Sequence, residues 1–251
     1  MKTSKLNVVF TINKEEMVDS IVSLTNKDSY FAVEASKKVL SEHTELKKAD
    51  LSNKTALGDY VDSFLAKHAD ECTYVQKLYS KSWKKVETDV GTFLSKILKT
   101  DLEDLNNVKA NIGIIQIYPR DLYEKTLSVH YQQYPYFTNS IVLHEVTHFI
   151  LAKKWLELFP EDSLDMLDAP HAFWHLSEIL VPIFNSEEKI RQLIPEAECK
   201  GYEEYDKPFN EDEPEVSIYG YFLKNYIQYK KDNRGIDDFL KFARDEIQKK
   251  Y

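Results

Sequence analysis

The hydrophobic positions of the chain change period several times, and each change predicts an element. Leu6, Val8, Phe10 and Ile12 alternate and predict a strand over residues 6–12. From residue 14 to about residue 100 the spacing becomes helical. Apolar side chains recur as Val18, Ile21, Val22 and Thr25, then as Phe31, Val33, Ala35, Val39 and Leu40. Tyr60, Val61, Phe64 and Leu65, then Val75, Leu78, Tyr79, Trp83 and Val86, continue the pattern, with interruptions at Asp50 to Asn53 and near Gly91. Residues 111–118 are rich in β-branched side chains and end at Pro119, which predicts a second strand, and residues 126–132 predict a third. Pro135 breaks the chain, Thr138 or Asn139 can cap the next helix, and that helix stops near Leu158, before Pro160. Another helix begins near Pro170, with Asp168 as its cap, and reaches about Ile183. Residues 195–215 read as an acidic loop, followed by helices over roughly 216–231 and 236–250.

These elements make an α+β chain, predominantly helical, with a small sheet. A single domain accounts for all 251 residues, divided into a helical N-terminal subregion over 1–105 and a second subregion over 106–251. Composition narrows the function. With 33 basic and 42 acidic side chains the net charge is -9, which argues against a nucleic-acid partner held through phosphates. The 6 glycines are too dispersed for a phosphate-cradling or dinucleotide-binding loop. Cys72 and Cys199 are too few for a disulfide framework or a four-thiolate metal site. No apolar run has the length of a membrane span, and residues 6–12 are too short and polar for a signal-peptide core, so the expectation is a cytoplasmic protein without a membrane partner.

The chemistry concentrates in His144-Glu145-Val146-Thr147-His148. Two histidines four residues apart on a helix differ by about 6 Å of rise and little more than one turn, so both imidazoles leave one face and reach one metal ion. Glu145 leaves at a different angle, out of the metal's ligand shell yet within reach of a water held there. Two neutral imidazoles, a base and room for a third ligand are what a hydrolytic zinc site requires. The surroundings agree: from Ile141 to Ala152 the only charge is Glu145, and four of the seven histidines lie between residues 144 and 175.

The segment from Ile141 to Ile150 resembles the active-site signature of zincin-type zinc metallopeptidases. The metzincin branch would require glycine at 151 and histidine at 154, where this chain has Leu151 and Lys154. The gluzincin branch takes its third ligand from a glutamate on a second, downstream helix. Here that helix is Ala169 to Ile183, and Glu178 stands in a largely apolar stretch 30 residues after His148. Glu178 leads as third ligand; His175, His171 and Asp168 compete, because His171, His175 and Glu178 share one helix face. A histidine left out of the ligand shell could orient Glu178 or donate to an oxyanion. Pro182 departs from the small or acidic residue that gluzincins often place four after the ligand glutamate.

The resemblance implies a zincin-like fold, with the small sheet beside the active-site helix. It implies a zinc-bound water whose proton Glu145 takes and returns to the leaving amine. His175, Tyr219, Tyr221 and Tyr226 are the candidates to stabilise the oxyanion. The substrate would be a peptide or protein bound extended along a sheet edge, with residues 111–118 or 126–132 as template. Two other readings share these residues: a binding or regulatory protein that keeps the fold without turnover, and a zinc hydrolase acting on a non-peptide amide or ester.

Overall fold

The computed structural model describes residues 5–48, 50–197, 201–210 and 214–251. They are mostly helical, with one four-stranded sheet. They gather into two compact units: Asn7–Lys85 with Asn107–Val142, and Met1–Leu6 with Val86–Asn106 and Leu143–Tyr251.

The sheet belongs to the first unit. β1 (Val8–Thr11), β2 (Val108–Gly113), β3 (Arg120–Asp121) and β4 (Thr126–His130) stand in the order β1-β2-β4-β3. The first two pairings are parallel and the last is antiparallel. This corrects the expected substrate template over 111–118, because β2 is flanked on both sides. β4 is also internal where β3 covers it, at Thr126 and Leu127. The second strand also starts three residues earlier than its β-branched run suggests and stops at Gly113, while Ile114 and Ile115 turn into the core.

Four helices accompany the sheet in this unit: α1 (Lys14–Thr25), α2 (Ala32–Glu42), α3 (Lys54–Lys67) and α4 (Ala69–Trp83). The Asn13 and Asn53 side chains cap α1 and α3 by accepting from Glu16 N and Ala56 N. Met17, Val18, Ile21, Leu24, Val39, Leu57 and Val61 form the core with Ile114 and Ile115. Val33, expected inside, is exposed. α4 packs on β1 through Phe10 and Tyr79, whose rings are 5.9 Å apart. The Tyr79 hydroxyl lies 2.9 Å from the His130 carbonyl and 2.8 Å from that of Gln133, which fixes the turn leading out of β4.

α5 (Glu87–Leu98) opens the helical part of the second unit. Gly91 lies buried inside it, so the interruption expected there falls instead between Trp83 and Glu87. α6 (Pro135–Leu158) begins in the first unit and ends in the second. Pro135 opens this helix rather than breaking the chain, because the N–H it lacks is one the first turn does not use. Thr138 and Asn139 therefore lie inside α6 and do not cap it. α7 (Ala172–Asn185) starts after its N-cap His171, not after Asp168. Every residue of α7 from Phe173 to Asn185 is buried, so this helix is enclosed on all sides at the centre of its unit, with His175, Ser177, Glu178 and Asn185 as its buried polar side chains. α8 (Glu188–Leu193), α9 (Ile218–Lys231) and α10 (Ile236–Ile247) complete the unit, with α9 and α10 packing on α7 and α8 on α5. Ser217 caps α9 by accepting from Gly220 N. Cys72 is buried and free, and Cys199 lies outside the described residues. Among the described residues no helix is long and apolar enough to cross a membrane.

Candidate metal centre

α6 presents His144 and His148 one turn apart, with their rings 4.8 Å apart between centroids. Their Nε2 atoms face each other at 3.0 Å. α7 brings Glu178 to the same point. Its Oε2 lies 3.5 Å from His144 Nε2, and its Oε1 lies 3.4 Å from His148 Nε2. Four ligands at zinc bond lengths of about 2.05 Å stand at the corners of a tetrahedron whose edges are about 3.3 Å. The separations here, 3.0 Å between the two imidazole nitrogens and 3.4–3.5 Å from each nitrogen to one of the two Glu178 oxygens, are of that size, and one ligand atom from each residue lies within 4.8 Å of the others. His148 and Glu178 are almost wholly buried, and His144 keeps 13% of its side chain exposed, which leaves one open side. All three donors belong to one unit.

The donor chemistry fits a divalent cation. Two uncharged imidazoles and one carboxylate suit zinc better than a hard, oxygen-seeking ion such as calcium. The carboxylate is 3% exposed, and a charge at that depth requires a compensating one.

Packing fixes the angle between the two helices. Thr147 Oγ1 donates to the Leu143 carbonyl at 2.7 Å and lies 3.1 Å from Asn185 Oδ1, a fully buried bridge between α6 and α7. Trp155 of α6 meets Phe173 of α7 with ring centroids 5.0 Å apart. Lys153 pairs with Asp101 and Asp104 at 2.9 and 2.8 Å and ties α6 to the segment after α5.

Glu145 is buried beside His144. Helical geometry sets it about 100° round the axis from His144 and about 60° from His148, so it borders the two histidines without pointing at their common centre. His171 and Asp168, the other candidates for third ligand, are exposed ahead of α7 and stand outside the cluster. His175 is buried but engaged elsewhere. Its Nδ1 lies 3.2 Å from the Tyr205 hydroxyl and 3.2 Å from Glu204 Oε1, and its ring stacks on Tyr251 at 4.0 Å. Burial pushes its pKa down, against the opposing pull of Glu204.

Two of the three tyrosines are committed to neighbouring helices. Tyr221 donates to Glu246 Oε2 at 2.7 Å and stacks on Phe209. Tyr226 donates to Glu187 Oε1 at 2.7 Å and packs on Phe184 and Phe239. Burial, then the Glu187 charge, raises the Tyr226 phenol well above its ordinary pKa, so it stays a donor. Tyr219 is half-buried near the start of α9.

The residue that the sequence reading passed over is Tyr205. It sits in a short turn at Glu203–Asp206, inside the stretch read as acidic loop, and is almost completely buried. Burial raises its pKa, followed by the charges of Glu178 and Glu204. An aromatic flanked by acids in a loop otherwise rich in charge was the available signal.

No family model, no curated protein and no solved structure matches the chain.

Proposed function

We propose that the protein is a zinc-dependent metallopeptidase of gluzincin type that hydrolyses peptide bonds, with His144, His148 and Glu178 holding the metal and Glu145 acting as general base. One observation carries the reading: the two imidazole nitrogens and the Glu178 carboxylate converge within 4.8 Å on one point, from two helices held together by the buried Thr147–Asn185 bridge. When bound, zinc would supply a Lewis acid that polarises a carbonyl and acidifies water at neutral pH.

The remaining work falls to the chain's own groups. Glu145, buried and one residue from His144, takes a proton from the attacking water and returns it to the leaving nitrogen. The buried surroundings of His148 and Glu178 keep bulk water from competing for these groups and strengthen every charge interaction among them. The partly exposed edge of His144 is the side open to substrate. The reading requires a peptide or protein substrate and neither nucleic acid nor membrane.

The test is hydrolysis of casein and of a peptide library by the wild type and by Glu145→Gln. The carboxamide keeps the shape and loses the base. Hydrolysis should fall about 10²- to 10⁴-fold while the metal is retained. Unchanged hydrolysis in the variant would remove Glu145 from the mechanism. Turnover confined to non-peptide amides or esters would keep the site and change the substrate class.

A further inference from the structure

The turn of α7 that carries Glu178 is weakened from within and supported from outside. Pro182 has no N–H, so it cannot donate to the Glu178 carbonyl as the fourth residue of a regular helix would. Gly201 stands against that carbonyl. A Cβ on Gly201 would lie 3.0 Å from the Glu178 carbonyl oxygen and 2.8 Å from Tyr205 Cδ2, so only glycine lets the loop and the Tyr205 ring close on this turn. The Tyr205 hydroxyl then lies 3.2 Å from Nδ1 of His175, one turn before Glu178 on the same face of α7. The same His175 nitrogen also lies 3.2 Å from Glu204 Oε1, and the ring stacks on Tyr251. A buried phenol must bond its hydroxyl or lose stability, and phenylalanine would fill the same space without that demand.

We propose that Tyr205 is a positioning residue for the metal ligand Glu178. Seated in the notch beside Gly201 and bonded to His175, it holds the 175–178 turn so that the carboxylate meets His144 and His148 at the observed distances. This rests on the reading of those three residues as metal ligands.

The test titrates the full chain with Co²⁺, following the visible bands of the bound ion and competition by a chelator. Wild type, Tyr205→Phe and Gly201→Ala are compared, and the metal-free proteins are melted in parallel by circular dichroism. Tyr205→Phe should bind Co²⁺ about tenfold more weakly or worse, with shifted visible bands, while its metal-free melting falls by no more than the roughly 2–4 °C that one lost hydrogen bond costs in a chain of this size. Gly201→Ala, which pushes on the same turn from the loop side, should change affinity and bands in the same direction. Affinity and bands identical to wild type in Tyr205→Phe would overturn the proposal alone. So would a loss of binding that follows a matching loss of metal-free stability, since that is packing and not positioning. A folded wild type that takes up no Co²⁺ would overturn the metal reading, and this proposal with it.

Discussion

His43 and His130 lie in the sheet-bearing unit, His144 and His148 in the other, and the two pairs use the same side chain in opposite ways. Around His43 both ring nitrogens have settled partners: the Tyr60 hydroxyl at 2.8 Å and the Ile114 carbonyl at 2.7 Å. His130 accepts from Gln132 N through Nδ1 at 3.3 Å and also bonds to the Ile114 backbone. These rings are buried because the backbone and, for His43, the Tyr60 hydroxyl satisfy them. His144 and His148 turn their Nε2 atoms toward each other and toward a carboxylate. Burial alone therefore separates nothing. What distinguishes the candidate metal-holding pair from the structural pair is where the nitrogens point: at separate main-chain and hydroxyl groups in one unit, at a common centre in the other.

The comparison breaks most sharply by truncation. His144→Ala should lower zinc affinity at least about a hundredfold, read by competition with a chelator, while His43→Ala should leave it unchanged. The second largest effect is on stability. His43→Ala strips partners from the Tyr60 hydroxyl and the Ile114 carbonyl and should destabilise the protein by about 2–3 kcal/mol in urea unfolding. A loss that small in His43→Ala together with intact zinc binding would sharpen the contrast; zinc lost on that substitution would erase it.

A pH effect comes next. Burial holds the His130 imidazole below its ordinary value of 6.5, so the unfolded chain takes up the proton first. The stability carried by the neutral ring is complete above about 6.5 and is lost as pH falls from there through the lower folded value. Burial lowers His175 as well, in the same direction. The urea midpoint of the metal-free protein should therefore drop below pH 6.5, and more shallowly in His130→Gln. A midpoint that is flat across this range, or equally steep in the variant, would show that His130 does not titrate on unfolding. The smallest effect belongs to the tyrosine hydroxyls. Tyr226→Phe and Tyr221→Phe each remove one bond to a glutamate and should cost about 1 kcal/mol of stability without changing kcat. A hundredfold fall in kcat in either variant would place that hydroxyl at the reacting centre.

What was legible in the sequence follows the range of the contacts. The His144 to His148 pair is an i, i+4 relation within one helix, and helical periodicity is local. Glu178 was legible because a carboxylate among Leu176, Ile179 and Leu180 has no place on a surface, and α7 is buried along its whole length after Ala172. Tyr205 depends on a contact with His175 30 residues away and on the bare Cα of Gly201, and neither leaves a periodic trace. The same holds for Tyr221 and Tyr226, whose hydroxyls go to Glu246 and Glu187 on other segments. The start of α6 is not where the proline suggests, because Pro135 opens the helix instead of breaking the chain. The strand order β1-β2-β4-β3 was out of reach, since pairing between β1 and β2 joins residues about a hundred positions apart.

The central claim is that His144, His148 and Glu178 form one zinc site, and elemental analysis tests it most directly. Purified wild type should carry one zinc per chain, with the metal absent from both His148→Ala and Glu178→Ala. Zinc lost from His148→Ala but kept by Glu178→Ala, or a folded wild type that holds no zinc after it is added back, would contradict the account.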